Sequence, residues 1–127
     1  PHLGVGWAFP VRPTDGRLGF ARYEEDVEQA IGIILRTNPG ERVMLPAFGA
    51  GLRRFLFAPN SAVTHGRVED AVRNALIDQE PRITVERVNA YAAEDEPNLM
   101  RIEIDFVVRR SNTFFNLVYP FYLNEAD

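Results

Sequence analysis

From Tyr23 to Leu35 the apolar residues Tyr23, Val27, Ala30, Ile31, Ile34 and Leu35 recur at the spacing of one helical face. Glu24, Glu25, Asp26 and Glu28 load the early turns with acid, which suits the positive end of a helix dipole. This helix is predicted to stop near Thr37, because Pro39 restricts Asn38 and Gly40 accepts left-handed geometry. A second apolar face, Val68, Ala71, Val72, Ala75 and Leu76, predicts a helix opened by Pro59-Asn60-Ser61 and running to about Gln79. Gly66 weakens its middle or marks its true start. Between the two helices, Pro46, Gly49 and Gly51 break any regular pattern, and Leu52, Phe55 and Leu56 share one face of a helical turn or two.

Beyond Pro81 the period changes to two. Ile83, Val85 and Arg87 alternate with Thr84, Glu86 and Val88 in a predicted strand that reaches about Ala92. An acidic turn, Glu94 to Asn98, leads to Met100, Ile102, Ile104, Phe106 and Val108, which alternate with Arg101, Glu103, Asp105, Val107 and Arg109 as in a half-buried strand. Ser111-Asn112-Thr113 then reverses the chain into Phe114 to Leu123, where apolar residues occupy both faces and Pro120 favours an edge position. At the other end, Val5 to Pro10 reads as a short extended segment and Arg12 to Gly19 as a turn-rich loop. Helices followed by an antiparallel meander predict one α+β domain over residues 1–127, its helices packed on the sheet and one sheet edge exposed.

Composition narrows the function classes. The chain has 127 residues, no cysteine and two histidines, His2 and His65, which excludes a disulfide frame and a thiolate metal site and leaves little for zinc. No cofactor or metal is expected. A net charge of -4 argues against nucleic acid, although every one of the 14 basic residues is arginine, the side chain suited to forked contacts with carboxylates. GC-rich coding would also remove lysine. No apolar run is long enough to span a bilayer, and Pro1 to Pro10 lacks the pattern of a signal peptide, so a soluble protein with protein partners is expected.

Four constellations deserve weighing against plainer readings. Glu80-Pro81-Arg82 places a charged pair around a proline that fixes the backbone, so both charges are expected to project in a defined direction. Its plain alternative is a helix stop with an incidental surface ion pair. The aromatic tail Phe114 to Leu123 either takes a partner strand along its edge or is a central strand covered on both sides. Thr37 to Gly49 is a shaped loop that positions a contact or merely joins two helices; its glycines lack phosphate-loop spacing. Glu41 with Glu80, or Asp78 with Glu80, fits the acid and base of a glycoside hydrolase, yet with 18 acidic residues some such pair always arises. Ser61, Ser111, His2 and His65 carry no nucleophile motif, His65 reads as a helix-surface residue, and no catalytic residue is assigned.

The ordered series Ile34-Leu35-Arg36-Thr37, Gly40-Glu41-Arg42, Pro46-Ala47-Phe48-Gly49, Leu52, Leu56-Phe57 and Glu80-Pro81-Arg82 resembles one family. It is the baseplate wedge, or sheath-initiator, family of contractile tails, also called the gpW and lysozyme-like baseplate family, which includes a type VI secretion baseplate component. The likeness runs from about Val5 to Leu123. It implies a non-enzymatic scaffold in several copies around the inner tube, assembled in the cytoplasm and built into the baseplate of a contractile particle. Glu80, Pro81 and Arg82 would contact larger wedge subunits, with tube or hub proteins as further neighbours. Strands carrying Ile102, Ile104, Phe106, Phe115, Leu117 and Tyr119 would receive the sheath protein by strand addition. Members of the family carry a lysozyme label, so peptidoglycan hydrolysis is the rival class. Ser111-Asn112-Thr113 and the ending Leu117 to Leu123 look more like phage-derived extracellular injection systems than type VI secretion.

Overall fold

The computed structural model describes residues 18–124, with side chains from residue 21 onward. The extended segment expected at Val5 to Pro10, most of the turn expected after it, and His2 lie outside the described residues. In chain order the elements are α1 (Leu18–Arg36), a 3-10 turn (Leu52–Phe55), α2 (Ala62–Gln79), β1 (Ile83–Ala92), β2 (Leu99–Val108) and β3 (Thr113–Tyr122). Leu18 and Gly19 are already helical, so α1 begins earlier than the apolar spacing indicates. Gly19 is no breaker there: one glycine costs a helix only about 1 kcal/mol, which a long buried face downstream outweighs. The acidic cluster consequently falls beyond the first turn, which holds no acid. Val27, Ile31, Ile34 and Leu35 of α1 and Val68, Val72 and Leu76 of α2 are at most 2% exposed and share one core.

The sheet is antiparallel in the order β1-β2-β3. Its central strand sends Met100, Ile102, Ile104, Phe106 and Val108 into the core at 0 to 1% exposure, as the alternation predicts. β1 departs from simple alternation. Val85 pairs with Phe106 and Arg87 with Asp105, which leaves Glu86 as the extra residue of a β-bulge. The bulge reverses the phase, so Val88 and Ala90 face the core while Arg87, expected in phase with Ile83 and Val85, lies on the opposite face. There its guanidinium bonds Asp105 at 2.9 Å and approaches Glu103 at 3.4 Å. Unlike the turn read from the sequence, Thr113 belongs to β3, opposite Val108, and Asn112 takes a left-handed φ of 56°. Pro120 sits on an edge strand, as expected.

His65 is half-buried and more than a surface residue: its Nε2 lies 2.6 Å from Asn60 Oδ1, and Asn60 Nδ2 donates to the carbonyls of Pro97 and Leu99. The start of α2 is thereby tied to the β1–β2 connection.

The loop after α1 is pinned at its return. Ala50 N–H donates to Ile34 O at 2.9 Å, and Gly51 N–H to Thr37 O at 3.2 Å. Gly49, at φ 110°, leaves no room for a Cβ, which would run into the Thr37 carbonyl, whereas Gly40, at φ 95°, faces open space. Gly49→Ala is expected to lower stability by about 2 to 4 kcal/mol in urea unfolding, and Gly40→Ala by only about 1 kcal/mol. Equal losses at the two positions would show that backbone conformation, not the Thr37 contact, sets the requirement for glycine.

Candidate functional site

Glu80 follows α2 as its C-cap residue, and its N–H still donates to Leu76 O at 2.9 Å. Pro81 then turns the chain toward β1. Two bonds join Arg82 to Glu80 as a fork, Nε to Oε1 at 2.7 Å and Nη2 to Oε2 at 2.8 Å, and Arg82 N–H adds a third to Oε1 at 3.2 Å. Glu80 is 3% exposed, so the two charges do not both project as the sequence suggested. A short loop fixed by proline lets the carboxylate meet its own neighbour, which offsets the cost of burying it. What reaches the surface is Pro81 and the outer part of Arg82, whose guanidinium lies 5.8 Å from the Tyr23 ring centroid; Arg110 lies over the same ring at 4.9 Å. The bond to Glu80 also raises the already high pKa of Arg82. The result is a cationic, aromatic-backed surface with an internal acid as its brace.

The sheet edges differ. Ala90 lies opposite Ile102, yet its N–H donates to Glu69 Oε2 of α2 at 2.9 Å. In an antiparallel ladder alternate pairs exchange hydrogen bonds, so Ile102 must direct its own backbone groups to Tyr119 on β3. Carried along the unbroken β2–β3 register, this parity binds Thr113, Phe115, Leu117, Tyr119 and Phe121 to β2. It turns the backbone groups of Phe114, Asn116, Val118, Pro120 and Tyr122 outward. The β1 edge is thus partly plugged by α2, whereas among the described residues no strand pairs with the β3 edge, whose outward row lacks only the N–H of Pro120.

The side chains that marked the strands expected to receive a partner lie mostly on the inner face of the sheet. Ile102, Ile104, Phe106, Phe115 and Leu117 are core residues at 0 to 6% exposure, Tyr119 is half-buried, and the three on β2 already have a strand on each side. Their strong apolar character marked the sheet correctly but belongs to its inner face. The outer face of β3 carries Phe114 at 69% and Tyr122 at 55% exposure.

The profile of the family described as baseplate wedge protein gp25 matches residues 21–113. The chain belongs to that family. Nearly all of β3 lies beyond the matched residues. Among solved structures, a protein from Geobacter sulfurreducens assigned as a candidate tail lysozyme is 46% identical, with a TM-score of 0.75 over 83% of this chain and 95% of that one. A component of the anti-feeding prophage baseplate gives a TM-score of 0.63 at 24% identity over 66% of this chain and 67% of its own. A component of the type VI secretion baseplate complex gives 0.67 at 19% identity over 82% and 96%. No match was found among curated proteins. The chain is thus a member of the baseplate wedge protein family, and it shares its fold with these two baseplate components.

The lysozyme label of one relative makes the carboxylates worth locating. Glu41 is exposed on the loop, and its pKa is lowered because Asn38 donates to it from Nδ2 at 3.0 Å and from its backbone at 3.2 Å. Both oxygens of Glu80 belong to Arg82, and Asp78 stands on the exposed side of α2. An open cleft of about 420 Å³ holds Glu86 and Asp105, which the sequence reading did not single out. Asp105 is kept ionised by the Asn116 amide and by Arg87. A general acid needs a raised pKa and access to substrate. Glu28 has the first, at about 7, but is 8% exposed.

Glu28 forms, with Glu24, a buried acidic pair that the sequence reading also missed. Glu24 Oε2 accepts from Ser111 Oγ at 2.5 Å, while Glu24 Oε1 and Glu28 Oε2 have no hydrogen-bond partner among the described residues. The signal was present: Glu24, Glu28, Ile31 and Leu35 keep helical spacing and share one side of α1. Burial, then repulsion from Glu25 and Glu24, lifts the Glu28 pKa from 4.5 to about 7. Below the lower value the group is neutral whether folded or unfolded, and no penalty exists. Between the two the folded state holds a proton that the unfolded state releases, so stability falls as pH rises and levels off above about 7. The full penalty is about 3 kcal/mol. Thermal unfolding should therefore show a Tm that drops from pH 5 to pH 8, and Glu28→Gln should remove most of that drop by stabilising the protein at pH 8. An unchanged slope in the variant would assign the pH dependence elsewhere.

Proposed function

We propose that this chain docks on larger baseplate wedge proteins through the surface around Arg82, and that the β3 edge takes strands from the sheath protein so that sheath polymerisation begins there. The observation that carries the reading is the outward row of backbone groups on β3, which no strand covers among the described residues, while α2 obstructs the opposite edge. Main-chain bonding suits this role, because it transmits load along the ladder and demands little of the incoming side chains. Phe114, Asn116 and Val118 offer both donor and acceptor, Pro120 only an acceptor, so an added strand is expected to pair mainly on the hairpin side of Pro120. Phe114 and Val118 would pack beside it. Glu80 acts as the brace for Arg82 rather than as a contact. Several copies would stand around the tube, touching tube or hub proteins, in a particle assembled in the cytoplasm and related to phage-derived injection systems.

Truncation before Phe114 would remove Phe115, Leu117 and Leu123 from the core, so a point substitution tests the edge better. Val118→Pro deletes one outward N–H and leaves the β2–β3 ladder intact. Particles made with it should contain normal baseplates but about tenfold fewer sheaths by electron microscopy, as loss of one bond of about 1.4 kcal/mol implies. Glu80→Ala with Arg82→Ala should instead deplete the chain from baseplates. Sheaths at parental frequency on Val118→Pro baseplates reject strand addition at this edge. Peptidoglycan hydrolysis, the reading favoured by the relative's lysozyme label, predicts cell-wall turnover by the purified chain that is lost on changing Glu41 or Glu80.

A further inference from the structure

The loop between α1 and the 3-10 turn has no part in either surface, yet it holds three consecutive apolar side chains in water. Val43 is 93%, Met44 86% and Leu45 51% exposed. Exposed apolar residues in a row are costly unless something covers them. The loop beneath them is firmly built. Asn38 binds Glu41 twice through its N–H and Nδ2, and its Oδ1 accepts from Arg53 N–H at 3.0 Å. Gly40 N–H donates to Pro46 O at 2.8 Å, Leu45 N–H to Arg42 O at 3.2 Å, and Phe48 N–H to Leu45 O at 3.0 Å. From α2, Gln79 Oε1 accepts from Gly49 N–H at 2.7 Å. The apolar tip is therefore displayed by a fixed scaffold.

Its surroundings are basic. Arg42, Arg53 and Arg54 are exposed, and Arg42 and Arg53 lie close enough to Glu41 to favour its ionised form. Arg42 rests over the Phe48 ring at 5.2 Å and Arg54 over Phe55 at 5.0 Å, which limits their rotamers. The loop's own carboxylate, Glu41, is already engaged with Asn38. Pre-oriented guanidinium groups match carboxylates in forked geometry.

We propose that Val43, Met44 and Leu45 form a docking knob that seats in an apolar pocket rimmed by Asp or Glu on a larger protein subunit of the baseplate. Charge complementarity selects the rim and the three side chains fill the centre, the arrangement of apolar core and polar border found in specific interfaces. A fixed scaffold and ring-stacked arginines favour a shaped protein pocket over a fluid lipid surface. The inference rests on membership of the wedge family and not on strand addition.

The test places the photo-crosslinking residue p-benzoylphenylalanine at Met44 in cells that make the whole particle. A cross-link to one larger baseplate subunit is expected, mapping to a peptide with acidic residues beside apolar ones. Val43→Ser with Met44→Ser should keep the parental Tm, since these side chains are largely in water, yet enter baseplates about tenfold less. Arg42→Glu with Arg54→Glu should do the same. Parental incorporation of the serine variant, absence of a cross-link, a cross-link to a second copy of this chain, or flotation of the purified chain with phosphatidylglycerol vesicles that the serine variant loses would each overturn the proposal. In Val118→Pro particles the cross-link should persist, so a failure of strand addition is distinguishable from a failure of the knob.

Discussion

Burial of every second side chain of β2 is the constraint on which the rest depends. Met100, Ile102, Ile104, Phe106 and Val108 are closed off from solvent, and a shift of one residue would exchange them for Arg101, Glu103, Asp105 and Val107. Such a shift would bury three charged side chains and expose most of the core, so the register on both sides is fixed by a penalty far above the net stability of a small domain. The helices close over this same face. Once β2 is set, the parity of its hydrogen bonds determines which backbone groups of β1 and β3 turn outward. The identity of the free edge is thus a consequence of core packing and not a separate feature.

That chain of causes also explains what could be read from the sequence. β2 was legible because its alternation is unbroken, and α2 because its five apolar positions form a single stripe. The bulge was harder. Arg87 continues the phase of Ile83 and Val85, and its aliphatic stem makes it an acceptable inward residue on pattern alone. The stronger clue is that the apolar positions move from 83 and 85 to 88 and 90, a change of parity that an extra residue at Glu86 explains. The site residues show a related limit. Six residues marked the strands expected to receive a partner; five of their side chains are buried in the core and Tyr119 is half-buried, so apolar character reports burial and leaves the backbone edge to be found otherwise. Which backbone groups are free depends on register across three strands, which no local pattern contains.

The Glu80-Pro81-Arg82 motif shows how a surface is prepared by an interior contact. A lone arginine beside Tyr23 would sample many rotamers and lose that freedom on binding. Held by two bonds to a buried carboxylate, it presents one orientation before any partner arrives. The acid contributes by removing alternatives, which accounts for finding a charged residue almost wholly out of water at the end of a helix. Glu28 makes the opposite case. Buried and without a hydrogen-bond partner for one oxygen among the described residues, it opposes folding near neutral pH, and the apolar contacts of α1 must outweigh it.

An open β edge with exposed aromatic residues is also a hazard, since any second copy of the chain could pair with it. Pro120 reduces that risk by interrupting the outward donors, leaving a short run from Phe114 to Val118 for pairing. Two freely diffusing copies would gain few hydrogen bonds from so short a contact, and the entropy of association would oppose them. In the proposed ring of copies, a delivered strand would meet different conditions. The first contact raises the local concentration of the remaining strands, so the same short run can hold when several edges are engaged together. An edge too short to act alone but sufficient in an array would fit the proposed role, in which the chain stays unpaired until a baseplate has formed.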